Sequence, residues 1–182
     1  TALEILLPAK SPKQRQKRLE LASEFPLLGR KSRHFNVKLQ IENSGHVFSE
    51  LILDGANNFD AIDSLISTLL EWQISCYGLL LGMAKDKMTA ETRDSLQKLA
   101  QHAQQVGLVQ YNSTRAADPV EILQYLELPG NSSKLLNSSQ NALRWASETK
   151  MMPWVITGSF HLLGEVLPLL SLDPCTKNLQ NG

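Results

Sequence analysis

Cysteine is scarce: Cys76 and Cys175 are the only two in 182 residues, too few for a disulfide framework, and Cys76 lies in an apolar run that suits a buried thiol. No apolar run reaches the roughly 18 residues that a membrane-spanning helix needs. The first ten residues lack a basic flank followed by a cleavage pattern, so nothing points to secretion. A reducing cytosol is therefore the expected setting. Charge of one sign is lacking too, since 18 Lys and Arg are matched by 18 Asp and Glu. The basic stretch Ser11–Arg18, with Lys13, Arg15, Lys17 and Arg18, reads as a solvated connector rather than a nucleic-acid contact. No Gly-x-x-x-x-Gly-Lys-Ser/Thr occurs anywhere, so the main-chain phosphate cradle of a nucleotide-hydrolysing domain is missing from this chain. If the chain meets ATP, it does so as a second wall of the site. No internal repeat, heptad run or metal-ligand spacing is found.

What is present is enough for one core. With 42% hydrophobic residues in 182, a single domain is expected. The start at Thr1 rather than Met leads us to expect a piece of a longer chain, with 1–24 as a linker or remnant of a preceding domain and 25–182 as the folded unit. Asn112-Ser113-Thr114, Asn131-Ser132-Ser133 and Asn137-Ser138-Ser139 fit a glycosylation tripeptide but, without a leader, mark polar loops. Phe35 to Ile41 alternates in polarity, Asn43-Ser44-Gly45 supplies turn chemistry, and Val47 to Leu53 returns as a second strand, which predicts a hairpin.

Beyond the hairpin, strands and helices alternate. Ile62, Leu65, Ile66, Leu69 and Leu70 recur at helical spacing and predict a helix over 59–72. Strands are expected at 77–82, 107–111 and from Trp154, and helices at 89–105 behind Thr89, 120–126 behind Asp118-Pro119, 139–149 and 160–170. Gly130-Asn131-Ser132-Ser133 reads as a loop, and Gly164, inside the last helix, calls for a close-packing explanation. Such alternation implies right-handed crossovers and a three-layer α/β/α sandwich: a mostly parallel sheet with the antiparallel hairpin at one edge.

Two strand ends carry polar groups to the crevice where open α/β sheets bind ligands. After Leu51-Ile52-Leu53 comes Asp54-Gly55-Ala56-Asn57-Asn58, and after Trp154-Val155-Ile156 comes Thr157-Gly158-Ser159-Phe160-His161. Asp54 can accept hydrogen bonds from a ribose or an amine, or can cap the following helix, and the residues alone leave both open. Ser159 at a helix start suits a carboxylate or phosphate, or simply caps. His161, with no nucleophile near it in sequence, reads as packing. Lys85-Asp86-Lys87 follows a third strand, where a lysine can meet phosphate or sit in a solvated turn.

These segments resemble motifs of folylpolyglutamate and dihydrofolate synthases. Asp54-Gly55-Ala56-Asn57-Asn58 resembles their Asp-Gly-Ala-His-Asn, and Thr157-Gly158-Ser159-Phe160-His161-Leu162-Leu163-Gly164 their Thr-Gly-Ser-Leu-His/Tyr-Leu-Val-Gly. Gly82-Met83-Ala84-Lys85-Asp86-Lys87 is similar to Gly-Met-x-x-Asp-Lys, and Gly29-Arg30 to the Pro-Gly-Arg that opens the C-terminal, glutamate-ligase domain of this family in the Mur ligase superfamily. The likeness runs from about 25 to 171.

The resemblance implies an ATP- and Mg2+-dependent ligation. A folate or dihydropteroate carboxylate becomes an acyl phosphate and is attacked by the amino group of L-glutamate. It implies nucleotide contacts from Arg30, Asp54 and Lys87, a glutamate contact from Ser159, and roles for Asp54 and Asn57 in the chemistry, Asn57 also facing glutamate. The metal and most of the ATP would be held by an N-terminal ATPase domain of the same parent, cytoplasmic or mitochondrial, with no nucleic acid or membrane involved. In this sequence Asn57 stands where the family has His, so an amide replaces an imidazole proton. Arg33 rivals Arg30 because two residues separate Pro26 from Gly29. The competing class is a noncatalytic doubly wound module that binds or regulates a partner.

Overall fold

In the computed structural model the described residues are 29–41, 45–129, 133–149 and 152–172. The proposed linker over 1–24, Pro26, Asn43, Ser44, most of the loop at 130–133 and Cys175 lie outside them. Seven strands form one sheet in the order β5-β4-β3-β6-β2-β1-β7. β1 (Ser32–Leu39) and β2 (Val47–Leu53) are the expected hairpin, registered from Ser32 opposite Leu53 to Lys38 opposite Val47. β1 starts three residues before the alternating run because its first residues are polar yet buried. Ser32 Oγ, for instance, donates to Leu53 O at 3.2 Å and accepts from Gly29 N at 3.3 Å. Asn36, within β1, takes φ +53°.

β3 (Tyr77–Leu81), β4 (Ala103–Val109), β5 (Ser133–Leu136) and β6 (Trp154–Thr157) run parallel to β2. β7 (Leu170–Ser171) pairs antiparallel with β1. The α/β class and the antiparallel hairpin on a mostly parallel sheet are thus as the sequence implies. β5 and β7 were not expected: β5 is only four residues with Leu135 exposed, and β7 is two residues, too short for either to show a period.

The helices carry the caps that their sequences advertise. In α1 (Phe59–Glu71) Asn58 Oδ1 accepts from Ala61 N at 2.9 Å, and in α2 (Ala90–Gln101) Thr89 Oγ1 accepts from Thr92 N at 3.3 Å. In α3 (Pro119–Leu126) Asp118 and Glu121 form a reciprocal capping box. α4 (Ser139–Glu148) is capped by Ser138 and α5 (Phe160–Val166) by Ser159. α2 ends four residues earlier than the expected 105, because Gln104 and Gln105, good helix formers, are drawn into the entry of β4. α5 also ends early, at Val166, where the 3₁₀ turn Leu167–Leu169 contains Pro168. Among the described residues a Cβ at Gly164 would meet nothing within 4 Å, so they do not bear out the close-packing explanation for that glycine.

Alternate strand residues feed two cores. Leu51, Leu53, Leu80, Trp154 and Ile156 pack against Leu143 and Ala146 of α4 and Leu162 and Leu163 of α5. Ile52, Leu79, Leu81, Leu108 and Val155 pack against Ile62 and Leu65 of α1, Leu96 and Leu99 of α2, and Ile122 of α3. Each fully buried leucine contributes on the order of 2 kcal/mol, so both faces of the sheet are covered and only its strand ends remain for chemistry.

Candidate active site

The carboxyl ends of β2, β6 and β3 are adjacent, and the start of the antiparallel β1 lies at the same edge. This places Arg30, Asp54, Asn57, Lys87 and Ser159 on turns along one edge of the sheet. The β2 and β6 turns are stitched together: Asp54 N donates to Ile156 O at 3.1 Å and Thr157 Oγ1 to Ala56 O at 3.4 Å. Gly158, at φ +97°, lets β6 approach β3, since a Cβ there would lie 2.5 Å from Gly82 O.

Asp54 is 6% exposed. Its Oδ2 accepts from Lys31 N and its Oδ1 from Ala56 N, both at 2.8 Å, so the carboxylate ties the entry of β1 to the exit of β2. Burial pushes its pKa above the ordinary carboxylate range, opposed by those two N–H groups and by the charges of Arg30 and Lys31. Each oxygen keeps a further lone pair for a ligand donor. Asn57, half-buried, follows in the same turn, and Asn58 is the cap of α1 as expected.

Ser159 is 4% exposed and its Oγ accepts from His161 N at 3.1 Å, a contact that leaves its own O–H proton unused. His161 is exposed and stacks on Tyr111, ring centroids 6.4 Å apart and nearly parallel. The capping role weighed for Asp54 falls instead to Asn58, and Asp54 braces its own turn; Ser159 does cap α5, and both residues lie at the common edge.

The two candidate arginines differ sharply. Arg30 is exposed, with its guanidinium carbon 5.1 Å from the Phe160 ring centroid. Arg33 donates to Glu50 at 2.6 Å and lies over the rings of Phe35 and Trp72, so its charge is already answered. Lys87 is half-buried in the 3₁₀ turn Lys85–Lys87, and among the described residues its ammonium has no ion-pair partner. The other two charges of that turn are paired, Lys85 with Glu121 and Asp86 with two of the three guanidinium nitrogens of Arg115, Nε and Nη2. Among the described residues no cluster of three His, Cys, Asp or Glu could hold a metal, and no helix is long and apolar enough to cross a membrane.

Sequence reasoning passed over four residues that shape this edge. Lys31, at φ +47°, presents its N–H to Asp54 and its ammonium to Ser64 at 2.8 Å. Phe160 seats its ring against Gly55, and Arg115 reaches Asp86 from 29 positions away. Glu165 accepts from Asn112 N and Ser139 Oγ, binding the turn after β4 to α4. Phe160 entered the sequence reading only as one letter of the segment after β6, and Lys31, Arg115 and Glu165 act across distances that no local pattern reveals.

The fold and edge define a doubly wound, three-layer α/β domain with its polar groups gathered at the strand ends. Solved structures that share this fold include synthases. The chain is similar to a Mycobacterium tuberculosis folylpolyglutamate synthase complexed with ADP and AMPPCP, at TM-score 0.60 and 17% identity over 81% of this chain and 33% of that one. A Yersinia pestis bifunctional folylpolyglutamate synthase/dihydrofolate synthase, with AMPPNP and Mn, aligns at TM-score 0.60 and 24% identity over 89% of this chain and 35% of that one. A bifunctional folylpolyglutamate synthase/dihydrofolate synthase with Mn, AMPPNP and L-glutamate bound gives TM-score 0.58 and 23% identity over 89% of this chain and 35% of that one. The chain thus spans about a third of the length of these structures. No protein-family model and no curated protein matches it.

Proposed function

We propose that this chain is the glutamate-ligase domain, over residues 25–182, of an ATP-dependent synthase of the folylpolyglutamate/dihydrofolate type, joining L-glutamate to a folate or dihydropteroate carboxylate. The observation that carries the reading is the gathering of Arg30, Asp54, Asn57 and Ser159 at one strand-end edge of a fold shared with such synthases. In this reading a partner domain supplies the phosphate cradle and the Mg2+, and this chain supplies the opposite wall. The described residues offer the metal no cluster of three His, Cys, Asp or Glu, in keeping with its being held by the partner domain in this reading.

Arg30 neutralises phosphate charge with donors fixed in a plane, and Lys87 adds a second cation. Asp54 accepts from ribose hydroxyls with its spare lone pairs. Ser159 donates its unused proton to a glutamate carboxylate, and Asn57 offers the amine an acceptor. The amine nitrogen then bonds to the acyl carbon, the carbon–oxygen bond to phosphate breaks, and inorganic phosphate leaves with the electron pair while the amine loses a proton. The chain alone binds nucleotide weakly and does not turn over.

Steady-state kinetics of the full-length parent test this. Ser159→Ala is expected to raise KM for glutamate roughly 5- to 150-fold, for the 1–3 kcal/mol of one hydrogen bond to a charged group, while leaving KM for ATP near its starting value. Arg30→Ala is expected to do the reverse, and equal effects of both changes on both substrates would refute the division of roles. A second reading, a noncatalytic binding or regulatory module, draws on the use of both Asp54 oxygens by backbone N–H groups. It predicts that neither variant alters ligation.

A further inference from the structure

Phe160 is 42% exposed although it opens a helix at the candidate site. A Cβ at Gly55 would lie 2.5 Å from its ring, so the ring rests directly on the backbone of the turn after β2. Arg30 lies over the same ring at 5.1 Å. Asp54 lies near enough to feel the charge of Arg30, but no carboxylate among the described residues forms an ion pair with it, whereas Arg33 is held by Glu50 as well as by two rings. A carboxylate would fix an arginine but cancel its charge. A ring face restrains the long side chain and leaves the in-plane N–H donors and the positive charge for an anion.

We propose that Phe160 is a positioning residue: its ring, seated on Gly55, holds the Arg30 guanidinium at the strand-end edge with its charge free for a phosphate-bearing ligand. The identity of that ligand as a nucleotide rests on the function proposed above; the restraint itself does not.

Two measurements on the chain test this. In side-chain NMR of the wild type, the Arg30 δ and ε protons should be displaced upfield by the ring, a displacement lost in Phe160→Leu and retained in Phe160→Tyr. In titrations with ADP, Phe160→Leu should raise the apparent Kd roughly two- to fivefold, the worth of an exposed cation–π contact, and Phe160→Tyr should leave it unchanged. Absence of the upfield displacement in the wild type, or its persistence in Phe160→Leu, overturns the restraint without recourse to any variant's activity. ADP binding that is lost in Arg30→Ala but untouched in Phe160→Leu overturns the positioning role alone. ADP binding unchanged by Arg30→Ala overturns the nucleotide reading itself, and with it the ligand named here.

Discussion

Asp54 and Asp86 each follow a strand of the same parallel sheet at the same edge, yet they are used in opposite ways. Asp54 is buried and answered by two backbone N–H groups, which makes it part of the scaffold of its turn. Asp86 is exposed and answered by the guanidinium of Arg115, which holds its carboxyl below the ordinary carboxylate range, first through that hydrogen bond and also through charge. Burial moves Asp54 the other way. One residue type at two strand ends separated by β6 thus serves architecture in one turn and solvent-facing charge pairing in the other.

The largest effect is expected where the β2–β6–β3 seam is tightest. Gly158→Ala puts a side chain at φ +97° and 2.5 Å from Gly82 O, so urea unfolding should show a loss of about 2–5 kcal/mol from backbone strain and overpacking together. A smaller loss would mean that β3 and β6 can separate at their ends. Next comes Asp54→Ala, which orphans the N–H groups of Lys31 and Ala56 but also removes a costly buried carboxylate. The net loss should be about 1–3 kcal/mol.

Glycine offers a contrast six positions further along. Gly164→Ala meets open space on an exposed helix face, so it should raise stability by about 0.5–1 kcal/mol. A loss there would reveal a neighbour absent from the described residues. The smallest effect is Asp86→Ala: the pair with Arg115 is fully solvated, and no displacement of the urea midpoint is expected at moderate salt.

Titration sharpens the comparison without mutation. Carboxyl-carbon NMR should place the Asp54 midpoint above 3.8 and the Asp86 midpoint below it, and the reverse order would break the distinction. The signs for stability are opposite. A folded pKa raised above the unfolded value means that the native state binds the proton more tightly. The Asp54 contribution is therefore fully present below pH 3.8 and is lost as pH rises through its folded pKa. Asp86 contributes above 3.8 and loses its contribution as pH falls through its depressed pKa, with solvent screening keeping the amplitude small.

The contrast also marks what a sequence can show. Strong periods and local caps are legible: the apolar rows of α1, the Asp118-Pro119 start of α3 and the glycine turn after β6 all lie within a few residues of one another. The hairpin was legible too, save for its first residues, since Ser32 and His34 are polar groups that the fold buries. Both Asp54 and Ser159 were identifiable as strand-end polar residues, but the partners that assign their surroundings were not. Lys31 meets Asp54 from 23 positions away and Arg115 meets Asp86 from 29, distances set by sheet order rather than by any local pattern. Phe160 was read as one letter of a motif, and its ring contact with Gly55 depends on β2 and β6 being neighbours.

Asn36 gives the sheet a property unrelated to ligands. β7 reaches only Lys38 and Leu39 of β1, and the Asn36 backbone at φ +53° falls within the stretch of β1 that β7 leaves uncovered. A left-handed residue turns the local peptide groups out of line, so this margin does not present a flat row of donors and acceptors to another molecule's strand. Lys38 adds positive charge along the same strand. Among the described residues, the part of the β1 margin beyond β7 is thereby a poor template for edge-to-edge pairing with another strand.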